Sequence, residues 1–191
     1  MRYRALMLID VAIKVALVGL LAHAVLNPTL PQYEGKAMAG RALTFPLAAL
    51  VIPAIWWLRF RHRPFPALVD LLITAPLLID VTGNALNLYD AIDWWDDANH
   101  FVNWGLVTAG VAVALRGTTL ARWNRLGLAL GFAAIAAIGW ELAEYVTFIR
   151  FSAELATAYT DTLGDLALGV LGGFVGASLV EFASGYARRD A

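Results

Sequence analysis

The sequence predicts an all-α polytopic membrane bundle of about six transmembrane helices with both termini cytoplasmic. Composition, the lengths of the apolar runs and the placement of arginine and lysine predict it. Of 191 residues, 60% are hydrophobic and only 15% charged, with a mean hydropathy of +0.67. A soluble domain carries about 25% charged residues and roughly 45–50% apolar ones. A soluble core of this size could not hide the excess, whereas lipid accepts it. The chain 1–191 therefore reads as a single transmembrane helical domain. There is no cysteine, which excludes disulfides, thiolate metal sites and a cysteine nucleophile.

A helix needs about 20 apolar residues to cross a bilayer. Six runs meet that length, at 5–26, 42–59, 66–88, 98–115, 125–148 and 162–186. None alternates as a barrel strand does. With six spans, the basic regions all fall on one side: Arg2 and Arg4, then Arg59, Arg61 and Arg63, then Arg116, Arg122 and Arg125, then Arg188 and Arg189. The other side receives the mixed loop with Glu34, Lys36 and Arg41, the acidic stretch Asp90 to Asp97, and the loop from Arg150 to Asp161. The positive-inside rule puts the first set in the cytoplasm. Residues 1–24 also have some features of a cleaved signal peptide, ending in Ala22-His23-Ala24. Asp10 and Lys14 argue against cleavage, because they interrupt the apolar core and can pair at i, i+4. Gly127-x-x-x-Gly131 and the run Gly169, Gly172, Gly173 and Gly176 predict close helix packing. The seven tryptophans lie mostly near span ends and read as interface anchors.

The polar residues inside the spans carry the functional expectation, because charge in or near hydrocarbon is costly. In span three, Asp80, Asn84 and Asn87 follow i, i+4, i+7 along one face, above a kink expected at Pro76. Span four opens with Asp93, Asp96, Asp97, His100 and Asn103. Asp96 and His100 are i, i+4, so both can reach one cation, or the carboxylate can orient the imidazole. Asp93 and Asp97 read as first-turn acids favouring the helix dipole. Glu141 and Glu144 sit side by side in span five, where like charges repel unless a cation or proton intervenes. Asp161 and Asp165 share a face of span six. Asp161 suits an N-cap, while Asp165 is a turn too deep for capping. Carboxylates with one histidine suit Mg²⁺, Mn²⁺, Fe²⁺ or Zn²⁺. The expected metal set is Asp96, His100, Glu141, Glu144, Asp161 and Asp165, with Asp96, His100 and Glu141 as the catalytic candidates. Asp80, Asn84 and Asn103 are accessory positions. Nothing in the sequence suggests nucleic-acid binding.

Asp96 four residues before His100-Phe101, then Trp140-Glu141-Leu142-Ala143-Glu144-Tyr145, then Asp161-Thr162-Leu163-Gly164-Asp165 resemble the signatures of the YjdF-like bacterial inner-membrane proteins. The VanZ-like family is similar more loosely, through its Asp-x-x-x-His-Phe helix start. The resemblance covers roughly residues 80–177. It implies a multi-pass protein of the bacterial cytoplasmic membrane and supplies no reaction. These families tend to carry a basic residue after the aspartate. Here that position is Asp97, which makes the site more acidic.

Three functions are compatible with this pattern. One is a metal-dependent hydrolase or transferase acting on a lipid or envelope substrate at the outer interface. The second is a small cation- or proton-coupled transporter. The third is a structural subunit whose acids bind a membrane-protein partner.

Overall fold

The computed structural model describes residues 2–183 and is helical throughout, with no strand among the described residues. The basic pair Arg188 and Arg189 lies outside them. Six helices are long and apolar enough to cross a membrane: Tyr3–Leu26, Met38–Phe60, Ala67–Ala85, Trp95–Leu115, Arg122–Phe151 and Ala158–Phe182. Their surfaces carry exposed aliphatic side chains such as Leu8, Val15, Leu47, Ile135 and Leu179. In water such a surface would be unfavourable at about 25 cal/mol per Å², whereas lipid removes that cost. Several ionisable residues of the spans behave oppositely. Asp10, Asp70, Asp80, His100, Glu141, Asp165 and Glu181 are all buried.

The chain forms two compact units, Met1–Asp93 and Trp94–Ala191. In the first, α1 (Arg2–Leu26) packs on α4 (Ala67–Ala85) and on α2 (Met38–Ala49). Leu17, Leu21, Ala24, Phe45 and Val81 are among its buried apolar residues. The second span is broken into α2, α3 (Val51–Ile55) and a π-helical turn, Trp56–Phe60. Pro53 explains the break, since it removes the N–H that would bond the carbonyl of Ala49, where α2 ends. By contrast, α4 runs on through Pro76. It stops at Ala85, before the expected end. Asn87 is left-handed at φ 56° and starts the short α5 (Leu88–Ala91). Asparagine tolerates that region well. Asn87 therefore does not continue the face of Asp80 and Asn84.

Two polar assemblies tie the first unit together. Lys14 Nζ donates to Asp10 at 2.7 and 2.8 Å and to Asp70 Oδ2 at 2.6 Å. The i, i+4 pair expected from sequence is thus a triad joining α1 to α4. Asp80 accepts from Arg41 Nε and from the Tyr89 hydroxyl, each at 2.9 Å. In the loop after α1, the Tyr33 hydroxyl lies 3.0 Å from His23 Nδ1, and burial pushes the Tyr33 phenol above its ordinary value.

The second unit consists of α6 (Trp95–Leu115), α7 (Arg122–Thr147), two short 3₁₀ turns and α8 (Ala158–Ala183). Glycine sets the contact between α6 and α8. A Cβ on Gly172 would stand 1.9 Å from the Phe101 carbonyl oxygen, and one on Gly176 would stand 2.0 Å from that of Gly105. These pairings run parallel, from Phe101 and Gly172 to Gly105 and Gly176. The packing expected of the α8 glycines is present. Gly127 and Gly131 differ: a Cβ on either would meet nothing within 4 Å, so they form no seam within the described chain. Trp104 also departs from the interface-anchor reading. Its ring lies against Gly169, where a Cβ would approach to 2.7 Å. α7 runs antiparallel to α8, with Arg125 against Glu181 and Ala133 against Gly173. Two further turns along the same faces lie Glu141 and Asp165.

Candidate functional site

His100 is the centre of the polar cluster in the second unit. It projects from the second turn of α6 and is only 7% exposed. Helical side chains lean toward the N-terminus, so the imidazole reaches back toward the preceding turn. The parallel packing on glycine brings the start of α8, with Asp165, alongside it. The antiparallel α7 brings Glu141. Three helices thus deliver side chains to one imidazole.

His100 Nε2 lies 3.7 Å from Asp96 Oδ1 and 3.6 Å from Asp165 Oδ1. His100 Nδ1 lies 3.7 Å from Glu141 Oε1. Glu141 and Asp165 are buried, whereas the Asp96 side chain is 46% exposed. Two ligand sets result. Asp96, His100 and Asp165 place one potential ligand atom each within 4.8 Å of one another, and so do His100, Glu141 and Glu144. The structure therefore brings together Asp96, His100, Glu141, Glu144 and Asp165.

Asp161 is different. α8 begins at Ala158, a turn earlier than expected, so Asp161 is inside the helix and not its N-cap. It is exposed, and close enough to Glu141 and Asp165 for their charges to interact. Asp97 is exposed, as a first-turn acid should be. Asp80 and Asn84 belong to the first unit, where Asn84 Nδ2 donates to the Asp80 carbonyl at 3.0 Å.

Sequence reasoning missed two residues. Asn99 is buried, donates to the Trp95 carbonyl at 3.0 Å and accepts from Asn103 at 3.1 Å. The i, i+4 spacing of Asn99 and Asn103 was the available signal. Thr162 lies beside the Glu141 side chain. That contact joins α8 to α7, and no local pattern announces it.

The N–O separations around His100 exceed the 2.7–3.2 Å of a direct hydrogen bond. Two ligands held about 2.1 Å from one tetrahedral ion stand about 3.4 Å apart, close to the spacing here. A nitrogen facing two carboxylates, with a third carboxylate on the opposite nitrogen, suits a cation on one side of the ring and an orienting acceptor on the other.

The family described as "Predicted membrane protein (DUF2238)" matches residues 11–185. The chain belongs to this family. No curated protein and no solved structure matches it. Membership in DUF2238 agrees with the six apolar helices and carries no activity with it.

Proposed function

We propose that this DUF2238 protein binds a divalent cation through Asp96, His100 and Asp165 and uses it for hydrolase or transferase chemistry on a lipid or envelope substrate. The single observation behind this reading is the buried His100 ring, with carboxylates from three helices at 3.6–3.7 Å from its two nitrogens. In the proposed site, His100 Nε2, Asp96 and Asp165 are the ligands. Glu141 stands 3.7 Å from Nδ1, and a small approach on metal binding would let it accept from Nδ1–H and fix the tautomer and ring orientation. Glu144 and Glu141 form a second ligand pair, and Asp161 adds negative charge at the rim. The half-exposed Asp96 marks the open side, where a metal-bound water could be activated and a phosphate clamped. Asn103 and Asn99 extend the polar face beside it.

The basic loops orient this reading. With both termini cytoplasmic, the site faces outward from the bacterial inner membrane, at headgroup depth. The likeness to YjdF-like proteins supports that location, and the VanZ-like motif adds the Asp-x-x-x-His start. A reporter fused after Ala191 should be active in the cytoplasm and inactive outside it. Activity outside would reverse the orientation and remove the outer substrate.

Metal analysis of the full chain, purified without chelator, tests the site. Wild type should carry stoichiometric metal, and His100→Ala and Asp165→Asn should each lose it. Glu144→Gln should retain it, which separates the Nε2 set from the Nδ1 set. Chelation should lower the melting temperature, by about 2.7 kcal/mol in stability if the ion is present at 100 times its Kd. If wild type holds no metal, and added Mg²⁺, Mn²⁺ or Zn²⁺ leaves its melting temperature unchanged, the proposal is wrong.

A further inference from the structure

The first unit holds a second buried polar assembly with a different chemistry. Asp10 is 3% exposed and Asp70 1%. Between them Lys14 Nζ makes three short contacts: to both oxygens of Asp10 and to Asp70 Oδ2. A lysine ammonium has three donors, and all three are used. Asp70 Oδ1 is left buried with no hydrogen-bond partner. One turn further along α4, Thr74 Oγ1 is also buried without a partner.

The charge count is equally incomplete. Two carboxylates and one ammonium sum to an excess negative charge, which is costly in a helix interior within the membrane. Among the other charged groups on elements packed against α4, Arg4 of α1 is exposed at the helix start, about 9 Å along the axis from Asp10, and His23 lies against Tyr33. Arg41 of α2 binds Asp80, about 15 Å along α4 at 1.5 Å per residue. Asp90 of α5 binds Lys36, in the loop before α2. The short α3 carries no charge. The site therefore lacks one positive charge, and no donor reaches Asp70 Oδ1. A hard metal ion such as Mg²⁺ or Ca²⁺ takes about six oxygens or more, and here two are free. A proton supplies the charge and the donor with no further ligand.

We propose that Asp70 is an intramembrane proton-binding site. The triad of Asp10, Lys14 and Asp70 carries one exchangeable proton on Asp70 Oδ1, and Thr74 Oγ1 turns to accept its hydrogen bond, a bond the two side chains do not make as they stand. Protonation forms the O–H bond of a neutral carboxylic acid, and release returns the proton to water and the carboxylate to Lys14. The site is independent of the metal proposal, because it shares no residue with it.

Infrared difference spectroscopy on the full chain in lipid vesicles reads this directly. At neutral pH, wild type minus Asp70→Asn should show the carbonyl stretch of a protonated carboxylic acid. That band should shift on exchange into D₂O and disappear reversibly in alkali. Thr74→Val removes the acceptor and should shift the band to higher frequency, which keeps the test available if Asp70→Asn does not fold. Identical carboxylic-acid regions in wild type and Asp70→Asn would overturn the proposal, as would a band unmoved in Thr74→Val or in D₂O. A melting temperature raised by sodium over choline in wild type but not in Asp70→Asn would make it a metal-ion site and overturn it too.

Discussion

Gly172→Ala should destabilise the protein and disorganise the site around His100, although it adds only one methyl. The added Cβ would fall 1.9 Å from the Phe101 carbonyl oxygen, 2.8 Å from its carbon and 3.0 Å from its Cα. All three atoms are backbone, so no rotamer change relieves the clash. α6 and α8 must move apart. Overpacking of this kind costs typically 1–3 kcal/mol and occasionally more. The displacement also acts on function, since α6 carries His100 and Asp96 while α8 carries Asp165. Gly131→Ala is the matched control. A Cβ there meets nothing within 4 Å, and replacing a mid-helix glycine with alanine gains roughly 0.5–1 kcal/mol. Unfolding of both variants in mixed micelles should show Gly172→Ala well below wild type and Gly131→Ala at or above it. Equal effects would mean that the close approach of α6 and α8 is absent.

The contrast between those two glycines marks the limit of what the sequence tells. Six apolar runs fix the span count, because run length is a local property and the bilayer thickness is a constant. The i, i+4 pairs Asp10 with Lys14 and Asp96 with His100 are legible for the same reason. Contacts between helices depend on rotation and register, which local spacing does not encode. Gly127-x-x-x-Gly131 and the α8 glycines look alike as strings, yet only the latter meet another backbone. Asp70 completes the Lys14 assembly from 56 residues away, and Thr162 reaches Glu141 across two helices. At Asn87 the local conformation overrode the periodicity: the helix had ended, so its face had no continuation. The gathering of acids around His100 was an expectation from the cost of charge in lipid. The two-sided arrangement about the imidazole depends on how three helices are rotated against one another, which no local spacing shows.

Arg125→Met should be the most damaging single change at the opposite end of the second unit, and a second substitution should undo it. Arg125 Nε donates to Glu181 Oε1 at 2.9 Å, Nη2 donates to Oε2, and Nη1 donates to the Leu120 carbonyl at 2.6 Å. Glu181 is 1% exposed. Removing the guanidinium strands a carboxylate that water cannot reach. Breaking a buried pair from one side costs about 3–5 kcal/mol. Arg116 and Arg122 are near enough for their charges to act on Glu181, which puts the loss at the lower end of that range. Replacing the whole pair by apolar residues of similar volume is often neutral or stabilising. Arg125→Met with Glu181→Leu should therefore recover to within about 1 kcal/mol of wild type, while Glu181→Leu alone leaves the arginine to find the interface with its long side chain. The measurement is a double-mutant cycle on unfolding in mixed micelles. A double variant as unstable as Arg125→Met would show that the arginine acts through its bond to Leu120 and not through the buried charge.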